Sequence, residues 1–135
     1  MKISTTTQYG LMAVGYIAQN STGPKDSVMA KKIAAEYGIG WEYLLKVLQL
    51  LVRANVLRSK RGPRGGFTLG RPLSEISMLD VIEAVEGPMR VDVEIDNPAA
   101  TREVVTSKVV EACREANDKV KNIYGKVKYS TLLAD

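Results

Sequence analysis

The side chains of this chain best suited to chemistry are four basic ones at positions 58–64. Arg61 and Arg64 lie in a predicted turn, and Arg58 and Lys60 precede it. Guanidinium groups on a stiff loop without carboxylates beside them suit a phosphate backbone or a narrow groove of nucleic acid. The alternative is an ordinary solvated hairpin that happens to be basic, so the surrounding elements must decide between the two.

The turn is predicted from residues that bend the backbone, namely Gly62, Pro63, Gly65 and Gly66. Glycine tolerates positive φ and close backbone approach, while proline fixes its own φ and biases the preceding residue toward extended geometry. Apolar residues at 56–57 and 67–69 predict a short strand on each side. The stretch therefore predicts a β-hairpin with a basic tip.

Positive charge is concentrated in the first half of the chain. Residues 1–71 contain 11 Lys and Arg against 3 Asp and Glu, a net +8, whereas residues 72–135 contain 8 against 12, a net −4. This asymmetry indicates an anionic partner for the first half. Double-stranded DNA fits better than a membrane surface, because the basic residues adjoin turn-forming residues and do not lie along one amphipathic helix.

Composition argues against several other classes of protein. The chain has one Cys and no His, so neither a disulfide framework nor acid–base catalysis is indicated, and we do not expect an enzyme. Its opening residues do not resemble a signal peptide, and no apolar run is long enough to span a membrane. These features predict a cytoplasmic protein.

Hydrophobic periodicity predicts three helices before the hairpin, at about 4–19, 28–36 and 41–54, with Met12 on the inward face of the first and Met29 on that of the second. Two short helices joined by a glycine-containing turn, followed at once by a hairpin, indicate a winged helix-turn-helix domain over residues 1–87. The third helix of such a domain enters the major groove by its first turn. The residues predicted there are Gly40, Trp41, Glu42 and Tyr43, with Lys46 one turn later.

These side chains offer suitable contacts to DNA. Glu42 can accept a hydrogen bond from a cytosine amino group, and Tyr43 can bond a phosphate or a base edge. Other interpretations stay open for three of them. Trp41 and Tyr43 could pack in the core against the first helix, and Glu42 could simply suit the first turn of its own helix.

The second half predicts a fourth helix at 78–86, which begins with a capping box of Ser77 and Asp80. A long helix is predicted after Asn97 and Pro98, at about 98–124. Residues 88–97 between them are predicted to form a linker or arm, and residues 98–135 a long dimerisation helix with a tail. Apolar residues at spacings of three and four predict a dimer seam on the long helix, formed by Val105, Val109, Ala112, Ala116, Val120 and Ile123. Packing of this stripe onto the chain's own first helix is the alternative.

The order of these elements resembles the Rrf-two family of bacterial winged-helix transcriptional regulators. The resemblance rests on the opening Met1-Lys2-Ile3-Ser4, on Gly38-Ile39 followed by Tyr43-Leu44, and above all on the hairpin sequence from Ser59 to Leu69. It covers residues 1–88 well and the long helix loosely. It implies a mainly α fold with a small β-hairpin. It also implies a homodimer that binds a palindromic operator, and we expect this dimer to be a repressor.

The resemblance also implies how DNA is contacted. The first turn of the third helix would contact the major groove, and Arg61 and Arg64 with their glycines the neighbouring minor groove. Relatives usually offer basic residues from the first helix, where this chain has Thr6 and Gln8. We therefore expect the phosphate contribution either to be smaller than usual or to shift to Lys2, Lys31 and Lys46.

The chain departs from the cluster-binding members of the family, which carry three cysteines between the fourth and the long helix. Here the single thiol is Cys113, within the long helix, and a cluster needs about four ligands. We expect no iron–sulfur cluster and no metal. Cys113 could act as a redox switch or simply fill the seam as a small residue. A small-molecule effector or a partner enzyme could also supply the signal.

The alternative function is a winged-helix protein–protein adaptor without a DNA role. An adaptor has no need of Arg61 and Arg64 beside a glycine pair, nor of a +8 first half. Sequence-specific DNA binding is therefore the favoured prediction.

Overall fold

The computed structural model describes residues 2–90 and 96–134, and within these ranges the fold is mainly helical with one two-stranded antiparallel sheet. The elements are α1 Thr5–Asn20, α2 Ala30–Tyr37, α3 Trp41–Arg53, β1 Leu57–Lys60, β2 Gly66–Leu69, α4 Met78–Glu86, α5 Val104–Lys126 and α6 Tyr129–Leu132. The predicted winged helix-turn-helix fold with a long C-terminal helix is confirmed. Across the described ranges, no helix is both long and apolar enough to cross a membrane.

Helix α1 packs against α3 and α4 at the centre of the core. Its N-cap is Ser4, whose side-chain oxygen accepts a hydrogen bond from the backbone N–H of Thr7. The buried side of α1 consists of Thr7, Gly10, Ala13, Val14 and Ile17. Met12 was expected on this side but is 38% exposed, because residues spaced as 7, 10, 14 and 17 share one face and position 12 lies across from it.

Helices α2 and α3 form the helix-turn-helix. Gly38 ends α2 at φ 65°, a left-handed conformation that glycine adopts without steric cost. The N–H groups of Gly38 and Ile39 both donate to the carbonyl oxygen of Ala34, the second at 2.9 Å. This closed turn sets the direction in which α3 leaves α2.

Helix α2 begins two residues later than predicted. Val28 lies outside the helix because it forms an antiparallel bridge with Phe67, in which the two N to O distances are 2.9 and 2.8 Å. Met29 then becomes the N-cap residue and is 51% exposed, although it was expected to face inward. The bridge fixes the loop before α2 to the hairpin.

Helix α4 begins with the predicted capping box. The Ser77 side chain accepts from the N–H of Asp80 at 3.0 Å, and the Asp80 carboxylate accepts from the N–H of Ser77 at 2.9 Å. Gly87 ends the helix with φ 83°. The predicted arm after it falls largely on residues 91–95, which lie outside the described residues.

The long helix α5 begins at Val104, six residues later than predicted. The side chain of Asn97 accepts from the N–H of Ala99 at 2.9 Å, but the turn that it caps ends as a short 3₁₀ segment, Ala100–Arg102. Helix α5 packs on α4, and the chain after it returns to the core. There Tyr129 is buried, and its hydroxyl donates to the carbonyl oxygen of Leu11 at 2.8 Å.

Candidate nucleic-acid interface

The orientation of α3 follows from its apolar stripe. The core-facing residues are Leu44, Val47, Leu48 and Leu51, each at most 2% exposed. Burying this face leaves the other side of the first turn in solvent, with Trp41 at 42% and Tyr43 at 43% exposure. Glu42 and Lys46 are exposed beside them. The structure therefore places the predicted reading residues together on one outward surface.

Trp41 is not a core residue, which excludes the alternative interpretation drawn from the sequence. Its ring lies below the ammonium group of Lys31, whose Nζ is 4.8 Å from the ring centroid. Such a cation–π contact contributes about 0.5–1 kcal/mol at an exposed site. It holds a basic side chain of α2 against the first turn of α3.

Tyr43 is oriented by two contacts with α1. Its hydroxyl shares a hydrogen bond with the hydroxyl of Thr6. Its ring meets the ring of Tyr9 edge to face, with centroids 6.0 Å apart. The ring is therefore held in one orientation although it is exposed. The role of Thr6 could not be inferred from the sequence, because 37 residues separate it from Tyr43.

The wing is a hairpin in which Leu57 pairs with Leu69 and Lys60 with Gly66. The tip is thus residues 61–65, as predicted from its glycines and proline. Glycine is required at positions 65 and 66, because other backbone atoms lie too close there for a side chain to fit. A Cβ on Gly65 would lie 2.4 Å from the carbonyl oxygen of Lys60, and one on Gly66 would lie 2.5 Å from that of Val28.

The wing is also anchored to the loop before α2. The hydroxyl of Ser27 donates to the carbonyl oxygen of Arg64 at 2.7 Å, and the bridge between Val28 and Phe67 lies beside this bond. These contacts hold the tip backbone, so the side chains of Arg61 and Arg64 stay exposed on a fixed support. Arg58 and Lys60 on β1 are exposed as well.

A groove of about 230 Å³ joins the three elements. Its lining comes from α2, from the first residue of α3 and from the wing: Met29, Ala30, Lys31, Trp41, Lys60, Gly62, Gly65 and Gly66. Met29 was missed as a surface residue because its exposure depends on the tertiary bridge at the preceding position. Lys2 does not line this groove but a second cavity, so its DNA contact stays a prediction.

Positive charge exceeds negative charge on this surface. Its exposed cations include Lys46, Lys60, Arg61 and Arg64, and Glu42 is the acidic side chain among the predicted DNA contacts. Within the described part of the chain, the wing arginines and Lys60 take part in no salt bridge. Their charge is therefore available to an external anion.

The predicted seam residues lie on α5, mostly in solvent. Val105 is 71% exposed, Val109 47% and Ile123 60%, and Ala112 and Ala116 are exposed between them. Five of the six thus form one apolar stripe that the chain itself leaves uncovered. Val120 is half-buried toward the rest of the chain, and Cys113 lies on the same half-buried flank.

Comparisons with known proteins give the class of this protein. The sequence model of the Rrf2 family, described as iron-dependent transcriptional regulators, matches residues 3–135. The HTH-type transcriptional regulator BadM of Rhodopseudomonas palustris is 38% identical over 86 residues, which are 64% of this chain and 53% of BadM. The chain spans about half the length of the curated relatives it matches.

Solved structures agree over nearly the whole chain. CymR of B. subtilis, described as its global cysteine regulator, has a TM-score of 0.74 and 28% identity, covering 98% of this chain and 95% of CymR. IscR of T. potens has a TM-score of 0.71 and 26% identity, covering 98% of this chain and 86% of IscR. This chain belongs to the Rrf2 family of transcriptional regulators.

The donor set of this chain does not fit the iron–sulfur chemistry of cluster-binding relatives. A cluster takes about four thiolate or imidazole ligands, and the sequence offers one Cys and no His. Among residues 2–90 and 96–134, no three His, Cys, Asp or Glu side chains are grouped so that they could hold a metal ion. Cys113 is a single half-buried thiol on α5.

Proposed function

We propose that this chain is a cytoplasmic, sequence-specific DNA-binding repressor that acts as a homodimer on a palindromic operator. The observation that carries the proposal is the groove in which α2, the first turn of α3 and the wing meet, with more cationic than acidic side chains around it. Membership in a family of transcriptional regulators supports a regulator rather than an enzyme.

The first turn of α3 reads the major groove. Glu42 accepts from a cytosine amino group, and Tyr43, oriented by Thr6, donates its hydroxyl to a phosphate or a base edge. Gly40, which begins the helix without a side chain, allows the DNA to come close to its backbone. Lys46, one turn later, contacts a phosphate.

The wing enters the neighbouring minor groove. Arg61 and Arg64 extend from a tip whose backbone is fixed by Ser27, and guanidinium groups are favoured in narrow minor grooves. Lys60 and Lys31 line the groove between wing and helix and contact the phosphates that cross it. The glycines and Pro63 keep the tip narrow enough to enter.

Dimerisation occurs through the exposed stripe on α5. A contiguous apolar surface of this kind is unusual on a monomer and indicates a partner. In this arrangement residues 1–87 bind DNA, residues 88–97 connect, and residues 98–135 hold the dimer, with the tail after α5 returning to the core. Two α3 helices then lie about one helical turn of DNA apart, about 34–36 Å, or a multiple of it.

Repression follows if the dimer occludes a promoter. A signal that changes the angle between the two α5 helices would spoil the spacing of the two α3 helices and release the DNA. A small-molecule effector, a partner enzyme and oxidation of Cys113 are the three sources of such a signal. The donor set gives a metal cluster no part in it.

Selection of random duplex DNA by the purified, metal-free protein tests this function. We expect recovery of a two-fold symmetric site, and a mass of twice the chain for the free protein by light scattering. Recovery of nonspecific DNA alone would contradict sequence-specific binding and would favour the adaptor alternative. A symmetric site bound by a protein that stays monomeric without DNA would contradict the α5 seam.

A further inference from the structure

A second cavity, of about 310 Å³, lies where the start of α1, the end of α4 and α5 meet. The proposed DNA contacts of α3 and the wing take no part in it. Its volume is at the lower end of the range of about 300–1,000 Å³ found for ligand sites. Part of the wall is apolar, formed by Ile3, Ile82, Pro88 and Met89, and the ring of Tyr124 lies against it.

Three charged side chains line the same cavity, Lys2, Arg90 and Glu86. The carboxylate of Glu86 is already engaged, since its Oε1 accepts from the hydroxyls of Ser4 and Thr7, the latter at 2.6 Å. These hydrogen bonds lower the pKa of Glu86. They favour the ionised carboxylate and direct its Oε1 toward α1.

The two cations are different. As far as the described ranges show, neither Lys2 nor Arg90 forms a salt bridge. Both side chains are exposed at the cavity, and each has hydrogen-bond donors but no acceptor atom of its own. The cavity thus combines an apolar wall with an excess of cationic donors.

The wall beside Arg90 is held in place. The N–H of Met89 donates to a carboxylate oxygen of Glu83 at 2.8 Å, and its carbonyl accepts from the side chain of Asn117 at 3.2 Å. Lys121 of α5 lies 3.7 Å from the same Glu83 carboxylate. A wall fixed from both α4 and α5 reduces the ordering cost of binding.

We infer that this cavity binds a small organic anion with a compact apolar body, such as an aromatic carboxylate. The body lies against the apolar wall and Tyr124, and the carboxylate receives hydrogen bonds from Lys2 and Arg90. As the place of an effector the cavity rests on the proposed function, but binding of the anion can be measured on the protein without DNA.

The test uses three probes of one shape, namely benzoate, benzamide and benzylamine, titrated into the ¹⁵N-labelled full chain and followed by amide NMR shifts. Benzoate should move the amides of residues 2–3, 82–87, 89–90 and 124, with a dissociation constant in the millimolar range expected of so small a ligand. Benzamide should bind about tenfold more weakly, because it lacks the charge that strengthens the hydrogen bonds.

Variants locate the carboxylate. Arg90→Gln should weaken benzoate about tenfold, whereas the matched control Arg102→Gln, exposed in the 3₁₀ segment and away from the cavity, should bind it unchanged. The inference is overturned if benzoate causes no shifts at about 10 mM, about tenfold above a millimolar dissociation constant. Equal or tighter binding of benzamide or benzylamine also overturns it.

The same samples separate this inference from the proposed function. Arg90→Gln and Arg102→Gln should bind the selected operator as the wild type does. A protein that binds benzoate in this cavity but recovers no specific DNA would refute the proposed function alone. A protein that binds its operator but ignores benzoate would refute the anion site alone.

Discussion

Replacing Arg61 and Arg64 together by alanine removes the two guanidinium groups from the wing tip and leaves its support intact. Both side chains are exposed, and the tip is held by the hydrogen bond from the Ser27 hydroxyl to the carbonyl oxygen of Arg64 and by the bridge between Val28 and Phe67. The free energy of unfolding should therefore change by less than about 0.5 kcal/mol. A loss of DNA affinity in this variant then reports on the interface alone.

The expected loss follows from counterion release. Each cation that neutralises a phosphate contributes about 0.9 to the slope of log affinity against log salt concentration. A dimer with two wings loses four such cations, so the slope should become shallower by about 3.6. Over a fourfold rise in salt concentration, the four cations account for about 150-fold of the affinity that the wild type loses, and the double variant should not show this part of the loss. A single engaged wing would change the slope by about 1.8.

The assay is fluorescence anisotropy of a labelled operator duplex over a salt series, with Arg53→Ala as the matched control. Arg53 is an exposed arginine at the last residue of α3, at the opposite end of that helix from its reading turn. The control should keep the wild-type slope. If the double variant also keeps the wild-type slope and affinity, the wing has no part in DNA binding and the assignment of the tip is wrong.

Four further changes test separate parts of the molecule. Gly66→Ala brings a Cβ within 2.5 Å of a backbone oxygen and should cost about 1–3 kcal/mol in urea unfolding. Gly15→Ala, its control in open space on α1, should gain up to about 1 kcal/mol; equal effects would contradict the close approach. Val109→Asp puts a charge in the α5 stripe and should give a monomer in sedimentation; an intact dimer would place the seam elsewhere. Tyr43→Phe keeps the ring but loses the hydroxyl and should weaken operator binding about 3–10-fold at unchanged helix content, whereas undiminished affinity would exclude the hydroxyl from recognition. The pKa of Glu86 is lowered from its ordinary 4.5, so its charge stabilises the fold above that pH and this contribution is lost as pH falls through the lowered value. The stability gap between wild type and Glu86→Gln should thus close in acid, and a gap of constant size would contradict the hydrogen-bonded carboxylate.

Features governed by local chemistry were predictable from the sequence. The capping box of Ser77 and Asp80 involves two residues three apart, and both of its hydrogen bonds form. The wing tip was predictable because Gly65 and Gly66 stand beside Pro63 between two apolar strands. The structure adds why both positions must be glycine, since a Cβ at either one would collide with backbone atoms.

Features decided by distant contacts were not predictable. Val28 looked helical by periodicity, but Phe67, far along the chain, pairs with it and delays the start of α2. Asn97 carries a helix-start signal, yet such a signal does not determine how far a helix propagates, and only a short turn follows. The shared hydrogen bond of Thr6 and Tyr43 likewise needs the packed helices before the two residues meet.

The first turn of α1 connects α3, the helix proposed to read DNA, to the region where α5 packs. Ser4 and Thr7 both donate to the carboxylate of Glu86 at the end of α4, while Thr6 between them bonds Tyr43 on α3. A shift of the α4 terminus must therefore either break these bonds or move the start of α1, and with it the hydroxyl partner of Tyr43. The anion cavity adjoins this turn, since Glu86 lines its wall. A ligand bound there would act on the support of α3 without touching DNA, which fits the proposed function of a chain that has no cluster cysteines.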